Sequence, residues 1–339
     1  MPLDIRERVP LAPFTTLGVG GPARFFVRAD SEQQLLDALG FAKDKALGVF
    51  ILGGGSNILV SDDGFDGLVV QIALKGIEAE GSQITAASGE DWDPFVAKCV
   101  ENGLAGVECL SGIPGFVGGT PVQNVGAYGQ EVSETIRSVR CLDRADMLIV
   151  DLANEDCGFT YRTSIFNTTM RDRYVVLSVT FNLEPGGQPK VKYKDLLSHF
   201  GDNEPTLADV RDAVLKIRRS KSMVIDQDDP NSKSAGSFFK NPIVERSQRA
   251  DLQSKFGDVP HFDFGEQVKI PAAWLIENAG FHKGYVLGNA GTSSNHSLAL
   301  INRGHATANE LLALKDRIQD GVREKYGIQL QPEPIFVGF

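Results

Sequence analysis

The sequence predicts an α+β protein built from two or three subdomains, and three observations support this class. Its 339 residues exceed the usual size of a single domain. Short apolar runs typical of strands alternate with amphipathic segments typical of helices. A polar stretch punctuated by glycine and serine, residues 223–240, indicates a boundary before a last domain.

Strands and helices alternate in the first part of the chain. Ser31 and Gln34 make a capping-box-like start for one helix, and Gly103 ends a second one. The apolar face of this second helix carries Trp92, Phe95, Val96, Cys99 and Val100. Strands are predicted at residues 23–27, 49–52, 58–60, 68–72 and 84–87.

The later elements follow the same patterns. Strands are predicted at residues 139–142, 147–152 and 174–184. A helix over residues 207–221 carries basic residues towards its end, where the helix dipole favours cations. These residues are Arg211, Lys216, Arg218, Arg219 and Lys221. The last domain contains one clear helix, which the capping box of Thr307 and Glu310 opens and Gly327 ends.

A segment rich in glycine and proline, LSGIPGFVGGTPVQNVGAYG, occupies residues 110–129. Glycine permits positive φ angles and lets a ligand approach the backbone, while Pro114 and Pro121 reduce the entropy of the unfolded chain. We expect a rigid loop whose N–H groups suit a phosphate or the edge of a flat heterocycle. A series of tight turns without a ligand is the alternative at this point.

Composition and charge argue against several classes of function. A net charge of −10 makes the protein a poor candidate for nucleic-acid binding. No apolar run approaches a membrane span, and the first residues lack the apolar core of a signal peptide, so we expect a cytosolic protein without membrane contact. The cysteines lack CxxC spacing, which predicts buried, reduced thiols rather than disulfides or a metal site. They are Cys99, Cys109, Cys141 and Cys157.

Two glycine patterns resemble dinucleotide-binding fingerprints, and their context decides against that interpretation. Gly18, Gly20 and Ala23 satisfy GxGxxA, yet no apolar strand precedes them and an extended segment follows where a Rossmann unit needs a helix. The run LGGGSNILV, residues 52–60, does follow a strand but leads into another. A pyrophosphate here would therefore be held by loop amides rather than by a helix N-terminus.

Five motifs in this order closely resemble the family of UDP-N-acetylenolpyruvoylglucosamine reductases, over nearly the full length. They are LGGGSNILV at 52–60, SGIPGFVGGTPVQNVGAYG at 111–129, YRTSIF at 161–166, AGSFFKNP at 235–242 and PE at 332–333. The resemblance implies two FAD-binding subdomains of the vanillyl-alcohol-oxidase type, residues 1–74 and 75–222. It also implies an α/β substrate-binding domain, residues 223–330, and a tail, residues 331–339, that returns to the first subdomain.

The resemblance also assigns catalytic roles to three residues. Ser237 is the general acid, while Arg162 and Glu333 stabilise an enol intermediate. Without the resemblance, the default roles are a turn serine, a structural ion-pair partner and a solvated glutamate. Family members often have an arginine two positions after the glutamate, near the flavin. This sequence has Ile335 there, which leaves open the source of positive charge beside the flavin.

Contacts with cofactor and substrate are implied in the same way. FAD contacts are expected from Gly53, Gly54, Gly55, Ser56, Asn57, Ser111, Gly112, Gly115, Asn124 and Gly126. Substrate contacts are expected from Tyr128, Tyr193, Lys221, Asn241 and His296, and Tyr193 indicates the first subtype of the family. The bland alternatives are a packed aromatic residue, a solvated helix end, a turn asparagine and a loop histidine with no special role.

The implied activity is the NADPH-dependent reduction of UDP-N-acetylglucosamine enolpyruvate to UDP-N-acetylmuramate, with both substrates using one cleft. Hydride passes from flavin N5 to the enolpyruvyl methylene carbon, and the enzyme is expected to be a monomer. One alternative is an FAD-dependent oxidase of the vanillyl-alcohol type. All five histidines follow the FAD motifs, so flavin is expected to be non-covalent. Another alternative is a nucleotide-sugar binding protein without enzymatic activity.

Overall fold

The computed structural model describes residues 3–339 and confirms the α+β class. The chain divides into two compact units. The first unit contains the described residues up to Val9, together with Ala23–Gly55 and Phe65–Val224. The second contains Pro10–Pro22, Ser56–Gly64 and Ile225–Phe339. The three-domain boundaries stay a prediction, and the first of them, residue 1, lies outside the described residues.

The helices and strands are numbered in chain order. The helices are α1 (Glu32–Asp44), α2 (Trp92–Glu101), α3 (Lys194–Phe200), α4 (Leu207–Ser220), α5 (Arg246–Phe256), α6 (Ala272–Asn278) and α7 (Ala308–Tyr326). The first eleven strands are β1 (Arg6–Pro10), β2 (Pro22–Ala29), β3 (Gly48–Leu52), β4 (Ile58–Val60), β5 (Phe65–Ile72), β6 (Ile77–Glu80), β7 (Gln83–Ala87), β8 (Leu104–Ala105), β9 (Gly126–Ala127), β10 (Gln130–Glu131) and β11 (Ile136–Asp143). The others are β12 (Ile149–Ala153), β13 (Tyr174–Asn182), β14 (Glu184–Pro185), β15 (Ser234–Ser237), β16 (Ile243–Glu245), β17 (Phe262–Phe264), β18 (Gln267–Lys269), β19 (Val286–Leu287), β20 (Ala290–Thr292), β21 (Ala299–Asn302) and β22 (Ile335–Val337).

A four-stranded sheet in the order β1-β2-β5-β3 begins the first unit. Strands β2, β5 and β3 run parallel, as expected when α1 connects β2 to β3. The hydroxyl of Ser31 accepts the N–H of Gln34 and so caps α1, as its sequence predicts. Leu35 and Ala38 of α1 are fully buried in the same apolar cluster as Val70 of β5.

The rest of the first unit is organised around an antiparallel five-stranded sheet in the order β12-β11-β13-β7-β6. The predicted apolar face of α2 is buried in the adjoining core. There the rings of Trp92, Phe95 and Phe181 contact one another, with centroids 5.0–5.9 Å apart. The helix therefore fixes the position of Trp92, whose indole lies beneath the glycine-rich segment.

The second unit contains a four-stranded sheet, β15-β21-β20-β19, a three-stranded sheet, β16-β18-β17, and the parallel pair β22-β4. The predicted capping box of α7 is confirmed, since Thr307 and Glu310 exchange side-chain to backbone hydrogen bonds of 3.1 and 2.9 Å. Asp62 accepts two further N–H groups of the first turn. Residues from α7 and β21 share one apolar core.

Several elements differ from the sequence-based expectation. The sequence patterns do not predict helices α3, α5 and α6 or strands β1, β6, β8–β10 and β14–β22. The last domain therefore contains α5 and α6 besides the one clear helix that was expected, α7. Of the eleven residues of α5 only Leu252 is buried, so its sequence has no apolar stripe. The strand predicted from residue 147 begins at Ile149, because Met147 adopts φ +62° in the turn.

Two expectations about sequence patterns are also resolved. The GxGxxA match leads into strand β2 rather than a helix, so the rejection of a Rossmann unit there is confirmed. All four cysteines are buried with free thiols. Among residues 3–339, every helix falls short of the length and apolar character needed to cross a membrane.

The capping box of α7, formed by Thr307 and Glu310, leads to a prediction about stability. Thr307→Ala removes the acceptor for the Glu310 N–H, and we expect the free energy of unfolding of the second unit to fall by about 1 kcal/mol. Urea denaturation followed by far-UV circular dichroism measures this. Thr169→Ala, at an exposed threonine, is the matched control. Equal stability of the two variants would contradict the capping role.

Candidate active site

The turn after β3 exposes consecutive backbone donors. No acceptor within residues 3–339 takes the N–H groups of Gly53, Gly54 or Gly55. Gly55 adopts φ +65°, a left-handed conformation that glycine reaches without strain. A Cβ atom built on Gly53 would meet open space, so no side chain covers this part of the turn. Such a run of free amides is typical of sites for phosphate oxygens.

The glycine-rich segment lies against the residues that lead into α2. Trp92 N–H donates to the carbonyl of Gly115 at 3.0 Å, and its indole Nε1–H donates to the carbonyl of Leu110 at 3.0 Å. Val117 N–H donates to the backbone carbonyl of Glu90 at 2.8 Å. Within the segment the structure has one 3₁₀ turn, Val117–Gly119, and the two-residue strand β9, so the expectation that it forms neither an α-helix nor a long strand is confirmed.

Within the first unit the two glycine turns meet. A Cβ atom built on Gly54 would lie 2.6 Å from the Cα atom of Gly115, so neither backbone leaves room for a side chain at that point. No acceptor in the described chain takes the N–H of Gly115. Both turns thus bring N–H groups without a protein acceptor to one location, which fits a ligand with phosphates and a flat ring.

Several predicted FAD contacts already make hydrogen bonds within the protein. The hydroxyl of Ser111 donates to the backbone carbonyl of Glu108 at 2.6 Å, and the N–H of Gly112 donates to the carboxylate of Asp93 at 2.6 Å. The buried Asn124 amide donates to Glu131 and Thr160 and accepts the N–H of Ser133. A ligand contact at these three positions would have to use other atoms.

Three predicted substrate residues lie together in the first unit. The rings of Tyr128 and Tyr193 meet edge to face with centroids 5.5 Å apart. The Lys221 ammonium lies 5.9 Å from the centroid of Tyr128 and pairs with Asp195 at 2.7 Å. Tyr193 immediately precedes α3, and Lys221 immediately follows α4.

Local electrostatics keep this cluster in defined protonation states. Burial raises the pKa of Tyr128, although Arg218 and Lys221 partly oppose the shift, so its hydroxyl stays protonated at neutral pH. Burial alone would lower the pKa of Lys221, but the hydrogen bond to Asp195 and the neighbouring tyrosines raise it overall. The cluster can therefore present a neutral hydroxyl donor and a cation to an anionic group.

Arg162 is also held close to the glycine-rich segment. Its backbone has φ +54°, an unusual conformation for an arginine. Its Nη2 donates to the carbonyl of Gly126 at 2.5 Å, and its own carbonyl accepts from Asn167 at 3.2 Å. A Cβ atom on Gly126 would lie 2.9 Å from Arg162 Nη1, so the guanidinium packs directly against the glycine backbone.

In the second unit, main-chain hydrogen bonds bring the segments of Ser237 and Glu333 side by side. Ser237 ends β15, and the next residue, Phe238, accepts the N–H of Glu333 at 2.9 Å. Asn57 holds the same segment through its side chain, which donates to the Glu333 carbonyl at 3.2 Å. Its own carbonyl accepts the N–H of Ile335 at 3.0 Å. Ser237 and Glu333 are both half-buried.

The two other substrate candidates of the second unit make local hydrogen bonds. Asn241 accepts the N–H of Ala272 at 2.9 Å, at the start of α6. His296 accepts the N–H of Leu298 through Nδ1 at 3.2 Å, within the turn that leads into β21. These bonds give each residue a structural role, and their substrate contacts stay predictions.

Sequence reasoning missed two acidic residues that pair with cations of α4 and its C-cap. Asp93 binds Arg211, and Asp195 binds Lys221. The sequence indicated the cations, whose clustering on one helix requires counter-charges when they are partly buried. It did not indicate which of the 44 acidic residues would supply them.

Comparison with known proteins agrees with this arrangement. A family model described as the C-terminal domain of UDP-N-acetylenolpyruvoylglucosamine reductase matches residues 228–337. A second model, described as an FAD binding domain, matches residues 23–153. The second range includes both glycine turns, and the first includes Ser237 and Glu333.

Whole-length relatives carry the same name. A UDP-N-acetylenolpyruvoylglucosamine reductase from Thermobifida fusca is 45% identical, with alignment over 100% of this chain and 99% of that protein. One from Streptomyces coelicolor is 44% identical over 99% of this chain and 91% of that protein. The crystal structure of UDP-N-acetylenolpyruvylglucosamine reductase (MurB) from Thermus caldophilus matches with a TM-score of 0.70 at 25% identity, covering 99% of this chain and 100% of that one. With both glycine turns and both halves of the sequence accounted for, the chain belongs to the UDP-N-acetylenolpyruvoylglucosamine reductase family.

Proposed function

We propose that this protein reduces UDP-N-acetylglucosamine enolpyruvate to UDP-N-acetylmuramate, a step of peptidoglycan precursor synthesis, with NADPH as electron donor. The observation that carries the proposal is the meeting of two glycine turns with free amides inside the range matched by the FAD binding domain. Identity of 45% over the whole chain to a reductase of that name supports the substrate.

Non-covalent FAD is the cofactor in this proposal. The N–H groups of Gly53, Gly54, Gly55 and Gly115 would hold its pyrophosphate, since these donors have no protein acceptor in the described chain. When bound, FAD would supply the hydride-transfer chemistry that links NADPH to the enolpyruvyl methylene carbon. The remaining FAD contacts implied by the resemblance, including Ser56, Asn57 and Gly126, are part of the same proposal.

Ser237 supplies the proton that completes the reduced product. Its segment is fixed on both sides, because Ser237 pairs with Ala299 of β21 and the next residue bonds the Glu333 backbone. A proton donor must be held at a defined position relative to the carbon that it protonates. The left-handed glycine before it, Gly236 with φ +72°, sets the direction in which the strand ends.

Arg162 and Glu333 stabilise the enol form of the substrate while the proton is delivered. A guanidinium binds a carboxylate more strongly than it binds a neutral carbonyl, so a substrate carboxylate can replace Gly126 as the partner of Arg162. Glu333 is held at its backbone by Asn57 and Phe238, which restricts its side chain to one region. Ile335 supplies no charge to the flavin, so backbone amides would have to supply the positive potential there.

Lys221 and Tyr193 bind the diphosphate of the substrate, and Tyr128 contacts the adjoining sugar side. These residues combine a cation with two phenol groups, and phosphate oxygens accept hydrogen bonds from both kinds of donor. Asn241 and His296 are proposed as further substrate contacts. Asp195 must give up Lys221 or share it when the diphosphate arrives.

Flavin chemistry of the purified protein tests the proposed function. We expect a yellow protein whose flavin is released by mild denaturation and is bleached by NADPH without oxygen. Addition of UDP-N-acetylglucosamine enolpyruvate should then restore the oxidised absorption spectrum. Reoxidation by oxygen alone would indicate an oxidase, and a protein that cannot be reconstituted with FAD would indicate a binding protein.

The role of Ser237 predicts a separation of the two half-reactions. Ser237→Ala should leave flavin reduction by NADPH nearly unchanged and slow reoxidation by the substrate by about 10²–10⁴-fold, the usual contribution of a general acid. Anaerobic stopped-flow absorbance measures both steps. Ser294→Ala, at an exposed serine, is the control. Rapid reoxidation of the Ser237 variant would exclude the proposed role.

The role of Lys221 predicts a loss of substrate affinity. Lys221→Met should raise the KM for the UDP substrate about 10- to 100-fold, as expected for removal of a hydrogen bond to a charged group. NADPH oxidation at varied substrate concentration measures this change. The control is Lys216→Met, on an exposed part of α4, which should behave like the unmodified protein. Equal KM values for the two variants would rule out the diphosphate contact.

A further inference from the structure

Two consecutive residues, Trp92 and Asp93, hold the start of the glycine-rich segment, residues 110–115, at three points. Trp92 uses its indole and its backbone N–H to bind the carbonyls of Leu110 and Gly115. Between these two points, the carboxylate of Asp93 accepts the N–H of Gly112 at 2.6 Å. Asp93 makes the only one of these three bonds in which a partner is ionised.

A bidentate ion pair fixes the carboxylate of Asp93. Arg211 Nη1 lies 2.6 Å from Oδ1 and Nη2 lies 3.0 Å from Oδ2. The Arg211 side chain is only 15% exposed and that of Asp93 34% exposed, so water screens the pair weakly. Burial would raise the pKa of Asp93, but its bonds to Arg211 and Gly112 and the nearby Arg218 lower it, and the group stays ionised at neutral pH.

The position of Gly112 leaves the turn little freedom to move towards α4. A Cβ atom on Gly112 would lie 2.8 Å from Leu215 and 3.3 Å from Val224, so the backbone is already in close contact with these side chains. Gly112 and Gly115 have φ angles of +71° and +117°. Because glycine adopts many backbone conformations in the unfolded chain, fixing these two residues in the folded turn costs conformational entropy. A charge-assisted hydrogen bond at Gly112 favours the folded turn over those alternatives.

We propose that Asp93 is a positioning residue for flavin binding. Held by Arg211, it fixes the Gly112 amide and thereby keeps residues 111–115 in the conformation that receives the cofactor. Gly115 in turn contacts Gly54, so a shift of residues 111–115 also disturbs the amides of the turn at Gly53–Gly55. Asp93 acts through the loop, since Gly112 and Arg211 occupy its oxygens. The inference rests on the proposed function, because it requires that FAD binds at these turns.

The test compares FAD affinity among full-length variants. Wild type, Asp93→Ala, Asp93→Asn and the control Asp212→Asn, at an exposed position on α4, are freed of flavin and titrated with FAD by fluorescence quenching. We expect Asp93→Ala to raise the Kd about 10- to 100-fold, the effect of removing a hydrogen bond to a charged group. Asp93→Asn keeps an acceptor for Gly112 and should raise it about 3- to 10-fold.

Thermal melting of the flavin-free proteins separates positioning from general stability. A merely structural role would lower the melting temperature of Asp93→Ala and leave the Kd of the folded protein within twofold of wild type, which would overturn the proposal. If Asp93→Ala does not fold, Arg211→Lys keeps the charge but loses the bidentate geometry. The proposal then requires a raised Kd for Arg211→Lys and fails if the Kd is unchanged.

A further double variant and the wild-type titration complete the design. Asp93→Asn combined with Arg211→Gln restores a neutral hydrogen-bonded pair, and we expect it to bind FAD more tightly than Asp93→Asn alone. Failure of that rescue would count against a joint action of the two residues. If wild type itself binds no FAD, the proposed function fails, whereas equal binding by wild type and all variants overturns the positioning role alone.

Discussion

The candidate cofactor site depends on the approach of two backbones that have no side chains between them. Gly54 and Gly115 lie so close that a Cβ atom on Gly54 would come within 2.6 Å of the Cα of the other. Every feature of the first unit that serves the site follows from this contact. It brings together free amides from two turns, and it requires that each turn be fixed from behind. The indole of Trp92 and the carboxylate of Asp93 provide that fixation for the turn that contains Gly115.

Charge is distributed to match an anionic ligand although the whole chain is acidic. Helix α4 and its C-cap carry Arg211, Arg218 and Lys221, and the carboxyl end of the helix stabilises the last two of these cations. Asp93 and Asp195 compensate part of this charge. The pairs allow cations to be partly buried in the absence of ligand, while Arg218 adds positive potential beside Tyr128. A net charge of −10 is therefore compatible with binding of diphosphates.

Sequence patterns predicted the elements whose residues follow a strict local rule. The capping box of α7, the apolar face of α2 and the loop character of residues 110–129 depend on neighbours within a few positions, and all three are confirmed. Helix α5 was not predicted because it has no apolar stripe and instead packs against β16 and β18. The sequence indicated which glycines lie at the site, but it did not indicate which residue accepts the hydrogen bond of each glycine N–H. The bond from Gly112 to Asp93 joins residues 19 positions apart, and no local pattern encodes it.

The hydrogen bond from Asn57 to Glu333 joins residues separated by 276 positions in the chain. Strand β22, which follows Glu333, is the partner of β4, so β4 has no pairing strand until residues 335–337 have been synthesised. Folding from the amino terminus during synthesis can thus complete most of the first unit while the second still lacks one strand. A chain truncated before Glu333 would lose this strand and a candidate catalytic carboxylate together. Completion of the second unit is in this way linked to synthesis of its last strand, β22.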